Sequence, residues 1–196
     1  MDRKLLAYAF RVKPWRRDRL PTLWLFSDAT RFPDPRAAIL HLPRGRAGVV
    51  LRGAAPDLAG AVAGLCRARR IALAIGGDWR LAARLRAGLH LPARVTARWR
   101  GSKPCFLTAA AHSARELRRA RRVGARLAFL SPVFGTASHP GAPALGVLRW
   151  VALASRAGLA VAALGGIDGA RARRLPRRYC AGLAAITALG DAAPNR

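Results

Sequence analysis

Short apolar runs alternate with longer stretches of helical periodicity along this chain of 196 residues. Eight runs read as strands: 22–27 (TLWLFS), 47–52 (AGVVLR), 71–75 (IALAI), the brief 88–91 (GLHL), 105–110 (CFLTAA), 127–130 (LAFL), 159–164 (LAVAAL) and 182–186 (GLAAI). Three intervening stretches carry apolar residues at helical spacing. The first, 57–69, places Leu58, Val62 and Leu65 on one face behind Asp57, an acidic N-cap. The second, 113–123, opens with Ser113 and Glu116 in capping-box spacing and continues through Leu117, Ala120 and Val123. The third, 146–157, aligns Val147, Trp150, Val151 and Leu153. Strands that are apolar throughout, alternating with helices, indicate a parallel sheet covered by those helices. Eight such units predict an α/β chain closed into a single (β/α)8 TIM barrel, with an open doubly wound sheet as the runner-up. The chain is short for a barrel, so loops and some helices must be minimal.

The predicted organisation is a basic N-terminal arm or extra helix over 1–20, one barrel over 21–190 and a tail over 191–196. Ile75-Gly76-Gly77-Asp78 and Leu164-Gly165-Gly166-Ile167 echo each other after two of the strands. The apolar run at 5–10 is too short for a signal-peptide core or a membrane span.

Hydrophobic residues make up 52% of the chain, enough for a real core. The net charge is +27, from 36 Lys and Arg against 9 Asp and Glu. Such a field attracts phosphates, nucleic acid and anionic surfaces. The near-exclusive use of Arg together with abundant Ala also fits a GC-rich coding sequence. That reading outweighs a nucleic-acid role, and a preference for phosphorylated small molecules fits either. Cys66, Cys105 and Cys180 are odd in number and widely spaced, which argues against a disulfide framework or a zinc site. A reduced, cytoplasmic location without membrane attachment is the expectation.

In a parallel barrel, chemistry stands at the C-terminal ends of the strands. Asp28, Arg52, Asp78, His90, His112, the 131–139 loop, Gly165-Gly166 and Thr187 fall there. Gly165 and Gly166 can bring backbone N–H groups to a phosphate, aided by the following helix terminus and by 185–187, or they can form a mere tight turn. Arg52 offers a bidentate fork to the same mouth. Asp78 is a metal ligand or a helix N-cap, and for Asp28 an arginine ion pair is favoured. His90 is a satisfied structural histidine or a catalytic one, and His112 precedes a cap. His139 lies in a Gly/Ser/Pro-rich loop able to close over a ligand. No P-loop, nucleophile elbow or GxGxxG occurs.

The order of these features resembles the thiamine phosphate synthase/TenI family, from about Leu23 to Leu189. Leu23-Trp24-Leu25-Phe26-Ser27-Asp28 looks like its L-Y-L-I-T-D strand, and Val49-Val50-Leu51-Arg52 like V-Q-L-R. Gly77-Asp78 with Leu81-Ala82 resembles N-D-R…L-A, and Gly88-Leu89-His90-Leu91 resembles G-V-H-L. Ala111-His112-Ser113 with Glu116 and Ala120 resembles its S-x-H segment. Ser131-Pro132-Val133-Phe134-Gly135-Thr136 resembles G-P-V-F-x-T, Leu164-Gly165-Gly166-Ile167 resembles I-G-G-I, and 182–188 the closing strand.

The resemblance implies joining of a pyrimidine pyrophosphate to a thiazole phosphate with release of pyrophosphate and help from Mg²⁺. By position it assigns Arg52 to the pyrophosphate and Asp78 to Mg²⁺. Gly165, Gly166, Ile186 and Thr187 go to the thiazole phosphate, Thr136 to the loop over the thiazole, and His139 stands near the place of the family's loop Lys. The departures are several. Val50 stands for the pyrimidine-reading Gln, Ala54 for a Lys, Gly77 for Asn and Ala110 for Ser. The second acid expected after the H-L is absent from Pro92-Ala93-Arg94-Val95. Pro132 stands where the TenI branch has its catalytic His. Two alternatives therefore remain: a non-catalytic TenI-like binder or regulator of thiazole or thiamine phosphate, and an anion or nucleic-acid binder using the arginine surface.

Overall fold

Eight short strands close on themselves in the computed structural model, which describes residues 1–12, 20–94, 104–136 and 143–190. They are β1 (Leu23–Phe26), β2 (Ala47–Leu51), β3 (Ala72–Gly76), β4 (Gly88–Leu91), β5 (Leu107–Ala111), β6 (Leu127–Leu130), β7 (Ala160–Ala163) and β8 (Gly182–Ala185). Each pairs in parallel with the next, and β8 pairs with β1, giving one closed barrel. Nearly every strand residue is buried, which is why the strands read as continuous apolar runs.

The lumen is filled unevenly. Trp24, Phe26, Phe129 and Leu127 project inward against Val50, Ala74, Ala160, Ala162 and Ala184. Trp24 lies opposite Gly48 in the β1–β2 register, and a Cβ on Gly48 would run into the indole. Gly88 makes the same room for the Phe106 ring. Trp24, Phe26 and Phe129 meet edge to face at 4.8 and 5.5 Å between centroids, a favoured aromatic geometry.

The helices are α1 (Arg3–Arg11), α2 (Arg36–His41), α3 (Pro56–Ala68), α4 (Trp79–Arg84), α5 (Ala114–Arg122), α6 (Gly146–Ser155), α7 (Gly169–Ala172) and α8 (Thr187–Gly190), with a 3-10 turn at Arg177–Tyr179. The N-cap of α3 is Ala55 rather than Asp57. Pro56 takes the first helical position, where a missing N–H costs nothing, and so pushes Asp57 into the first turn. Ser113 does cap α5 by accepting from Glu116 N, but the Glu116 carboxylate reaches back one residue further, to His112 N at 2.6 Å. Among the described residues no helix is long and apolar enough to cross a membrane.

The N-terminal segment forms α1, while residues 13–19 and 191–196 lie outside the described part. Leu5, Tyr8 and Ala9 of α1 are buried, and the Tyr8 hydroxyl donates to the Leu175 carbonyl. Thr22 Oγ1 donates to Ala9 O at 2.8 Å. The helix packs on α7 and β1, the elements on either side of β8.

Candidate phosphate-binding mouth

The C-terminal ends of the strands open into one cavity. Its walls include Phe26, Asp28, Arg52, Gly76, His90, His112, Ser131, Thr136, Gly165, Gly166, Ile186 and Thr187. The barrel thus brings together most of the residues singled out in the sequence. Asp78 is the exception. It does not line the cavity and instead caps α4, accepting from Leu81 N at 2.9 Å. His139 lies outside the described residues.

Gly165 and Gly166 form one wall. Their φ angles of +92° and +63° require glycine, and their N–H groups have no partner among the described residues. Close packing adds a second reason. A Cβ on Gly165 would abut Pro132, and one on Gly166 would lie 2.5 Å from the Gly135 carbonyl oxygen. The helix expected to add its positive terminus is α7, and here the structure corrects the sequence. That terminus is already filled by protein carboxylates. Asp168 Oδ1 accepts from Ala170 N and Arg171 N, and Asp2 Oδ2 accepts from Gly169 N at 2.6 Å. Asp2 caps α1 as well, through Lys4 N and Leu5 N.

Arg52 lines the same cavity, held in place by the residues that follow β1. Its Nε donates to Ser27 O at 2.7 Å, its Nη2 to Asp28 Oδ2 at 3.3 Å, and its backbone N–H to Ser27 Oγ at 2.8 Å. Its stem crosses Gly76, where a Cβ would lie 3.1 Å from Arg52 Cγ. Nη1 has no hydrogen-bond partner among the described residues. Burial lowers the Arg52 pKa from its ordinary value, and Asp28 opposes that shift; a guanidinium stays protonated regardless. Asp28 is the ion-pair partner that the sequence favoured, and it serves Arg31 as well, at 3.2 Å. The backbone N–H of Arg31, followed by the Arg31 side chain and Thr30 N, holds its carboxyl below the usual range against a weaker desolvation.

Two histidines border the cavity. His90 is fully buried in β4, with Nδ1 3.0 Å from Thr108 Oγ1 and its ring edge-on to Phe26 and Phe129. Burial, reinforced by Arg52, pushes its pKa down to about 3. His90 is therefore neutral and satisfied, part of the cavity floor. His112 sits at the end of β5 with Nδ1 2.7 Å from Ser131 O. A carbonyl can only accept, so Nδ1 is the donor in this contact.

Sequence reading missed Ser27, Arg31, Asp2, Asp168 and Arg171. Asp2 and Asp168 carried a signal, an acid one residue before a helix; the others did not.

The implied Mg²⁺ finds a poor donor set. Among the described residues no three His, Cys, Asp or Glu side chains gather to hold a metal. Among the described residues the carboxylates that line the cavity are Asp2, Asp28 and Asp168, all engaged as above.

The family model for thiamine monophosphate synthase matches residues 52–189. No curated protein matches the chain in sequence. Among solved structures, thiamine phosphate pyrophosphorylase from Pyrococcus furiosus superposes with a TM-score of 0.73 at 20% identity, covering 90% of each chain. FabK from Thermotoga maritima gives 0.63 at 13% identity, over 86% of this chain and 58% of that one. An HpcH/HpaI aldolase from Desulfitobacterium hafniense gives 0.56 at 13% identity, over 86% of both. At these identities the likenesses carry the barrel fold, and it is the match over 52–189 that carries the family. This eight-stranded barrel belongs to the thiamine monophosphate synthase (TMP-TENI) family.

Proposed function

We propose that the barrel binds a thiazole phosphate or thiamine phosphate in its mouth, as a thiamine-pathway protein of the synthase type. The observation that carries this reading is the pair of N–H groups on Gly165 and Gly166, unpartnered among the described residues, in the same cavity as a guanidinium anchored at the end of β2. A phosphate needs acceptor-seeking donors on several sides, and this wall and Arg52 provide them. Thr136 and Thr187, both lining the same cavity, add hydroxyls at its rim.

Coupling a pyrimidine pyrophosphate to a thiazole releases pyrophosphate, so charge accumulates on the departing oxygens. Fixed cations near those oxygens stabilise the transition state more than the ground state. In this chain Arg52 would take that role, with Arg31 beside it on the shared Asp28. A second reading, binding without turnover, is favoured by one feature: Val50 is fully buried and offers no polar group to a pyrimidine. Turnover separates the two.

The test is a thermal-shift titration with thiazole phosphate and with thiamine phosphate, on the wild type and Arg52→Ala. At about 100 times Kd the expected stabilisation is roughly 2.7 kcal/mol, a rise of about 5–10 °C in Tm for a domain of this size. The rise should be reduced or lost in Arg52→Ala. No shift with either ligand would overturn the proposal.

A further inference from the structure

Nine Asp and Glu serve the whole chain, two of them, Asp18 and Asp191, outside the described residues; among the described residues those at the mouth are already engaged. Asp28 Oδ2 receives two guanidinium groups, from Arg31 at 3.2 Å and Arg52 at 3.3 Å, while its Oδ1 receives Thr30 N and Arg31 N. Asp168 Oδ1 holds the first turn of α7 and its Oδ2 lies 3.7 Å from Arg171 Nε. Asp2 caps two helices at once. Asp78 does not line the cavity and caps α4. The segments outside the described part that follow β4 and β6, residues 95–103 and 137–142, contain no Asp or Glu.

A hard cation such as Mg²⁺ binds through one or two carboxylates plus phosphate oxygens. At this mouth it would have to displace a guanidinium from Asp28 and then sit beside two of them, a like-charge arrangement that disfavours it. The guanidiniums are themselves the positive pole. Arg31, Arg52 and Arg171 all line the cavity. Asp28 aims the first two, and the Arg171 Nη1 donates to Gly166 O at 3.2 Å, beside the glycine wall. Gly76 leaves the space through which the Arg52 stem reaches the mouth.

We propose that this mouth binds pyrophosphate-bearing ligands without a divalent cation, with arginine guanidiniums in the place that the family gives to the metal. The inference rests on the phosphate reading above and narrows it to metal-free diphosphate recognition. Its consequence runs opposite to a metal-dependent site. Free pyrophosphate carries more charge than its magnesium complex, so added Mg²⁺ competes with the protein for the ligand and weakens binding.

The experiment is isothermal titration of the full chain with inorganic pyrophosphate, first in EDTA and then in excess Mg²⁺, for the wild type, Arg52→Ala and Asp78→Asn. Asn caps a helix about as well as Asp, so Asp78→Asn keeps α4. The expected result is one-to-one binding in EDTA, weakened by Mg²⁺. Arg52→Ala should weaken it about tenfold or more, the size of one charge-assisted hydrogen bond, and Asp78→Asn should change it less than about twofold. Binding that needs Mg²⁺ and is lost in Asp78→Asn would overturn the inference and leave the phosphate reading standing. The same holds if pyrophosphate fails to bind while thiamine phosphate or thiazole phosphate still stabilises the protein. Binding in EDTA that ignores Arg52→Ala would place the anion on the general arginine surface and overturn it too. Failure of all three ligands would remove both proposals.

Discussion

Gly166 combines two separable demands, and two alanine substitutions pull them apart. At φ +63° an L-residue meets the left-handed penalty, roughly 1–2 kcal/mol. A Cβ there would also lie 2.5 Å from the Gly135 carbonyl oxygen and 2.9 Å from Phe134 Cβ, and neither backbone nor a buried ring stem yields easily. Overpacking of that kind adds about 1–3 kcal/mol. Gly45 is the control. It has nearly the same φ, +68°, in the turn before β2, with nothing within 4 Å of the place a methyl group would take. Gly45→Ala should therefore lose only the backbone term, and Gly166→Ala the sum. In a domain of this size the extra cost reads as a further fall of roughly 2–12 °C in Tm by scanning calorimetry. The ligand readout is sharper. Turning the Gly166 N–H out of the mouth should abolish stabilisation by thiazole phosphate in Gly166→Ala while Gly45→Ala keeps it. Equal melting temperatures would refute the strain argument, and an intact ligand response in Gly166→Ala would refute the role of this wall.

His90 and Asp2, which both line this cavity, give two more outcomes. His90 stays neutral in the folded chain down to about pH 3, whereas the unfolded chain protonates it near 6.5. Its contribution is thus intact above pH 6.5 and is lost as pH falls from there toward 3, at about 1.4 kcal/mol per pH unit. Urea unfolding at pH 7.5 and 4.5 should show the wild type losing roughly 2–3 kcal/mol more than His90→Asn; parallel losses would exclude this origin. Asp2→Ala removes the acceptor for Lys4 N, Leu5 N and Gly169 N, at a cost of about 1–2 kcal/mol. Hydrogen exchange should quicken at Leu5 and Gly169 together, and unchanged exchange at Gly169 would show that the two helices are not linked through this carboxylate.

The strands are legible in the sequence because a barrel strand is buried on both faces, so each stands out as an unbroken apolar run. All eight are present, two with the ends read from the sequence and the others with ends displaced by at most two residues. The fifth reads as starting at Cys105 because Phe106 is apolar, but that ring turns into the lumen over Gly88 and the ladder itself starts at Leu107. Helices are legible in proportion to length. The longer α3, α5 and α6 span enough turns to show a period. The one- and two-turn helices α2, α4 and α7 do not. The N-terminal stretch is the ambiguous case, since its positive charges suggest an arm while Leu5, Tyr8 and Ala9 form the buried stripe of α1.

The site divides along a different line. Where a residue stands is set by topology, so the strand ends could be placed on one mouth from sequence alone. What a residue holds is set by contacts that sequence distance hides. Asp2 and Gly169 are 167 positions apart yet share a hydrogen bond, and nothing in either local sequence marks the pair. Asp78 shows the converse. An aspartate just before a short helix reads equally well as metal ligand or as N-cap, because both need a carboxylate at the end of a strand. Only the direction of its oxygens separates the two, and Oδ1 points back to Leu81 N. In a chain with so few acids, the ones at the mouth orient arginines and close helix ends. The anion-binding capacity then passes to the arginines, and that is why the positive charge of this chain matters at Arg52 even if most of it is a matter of composition elsewhere.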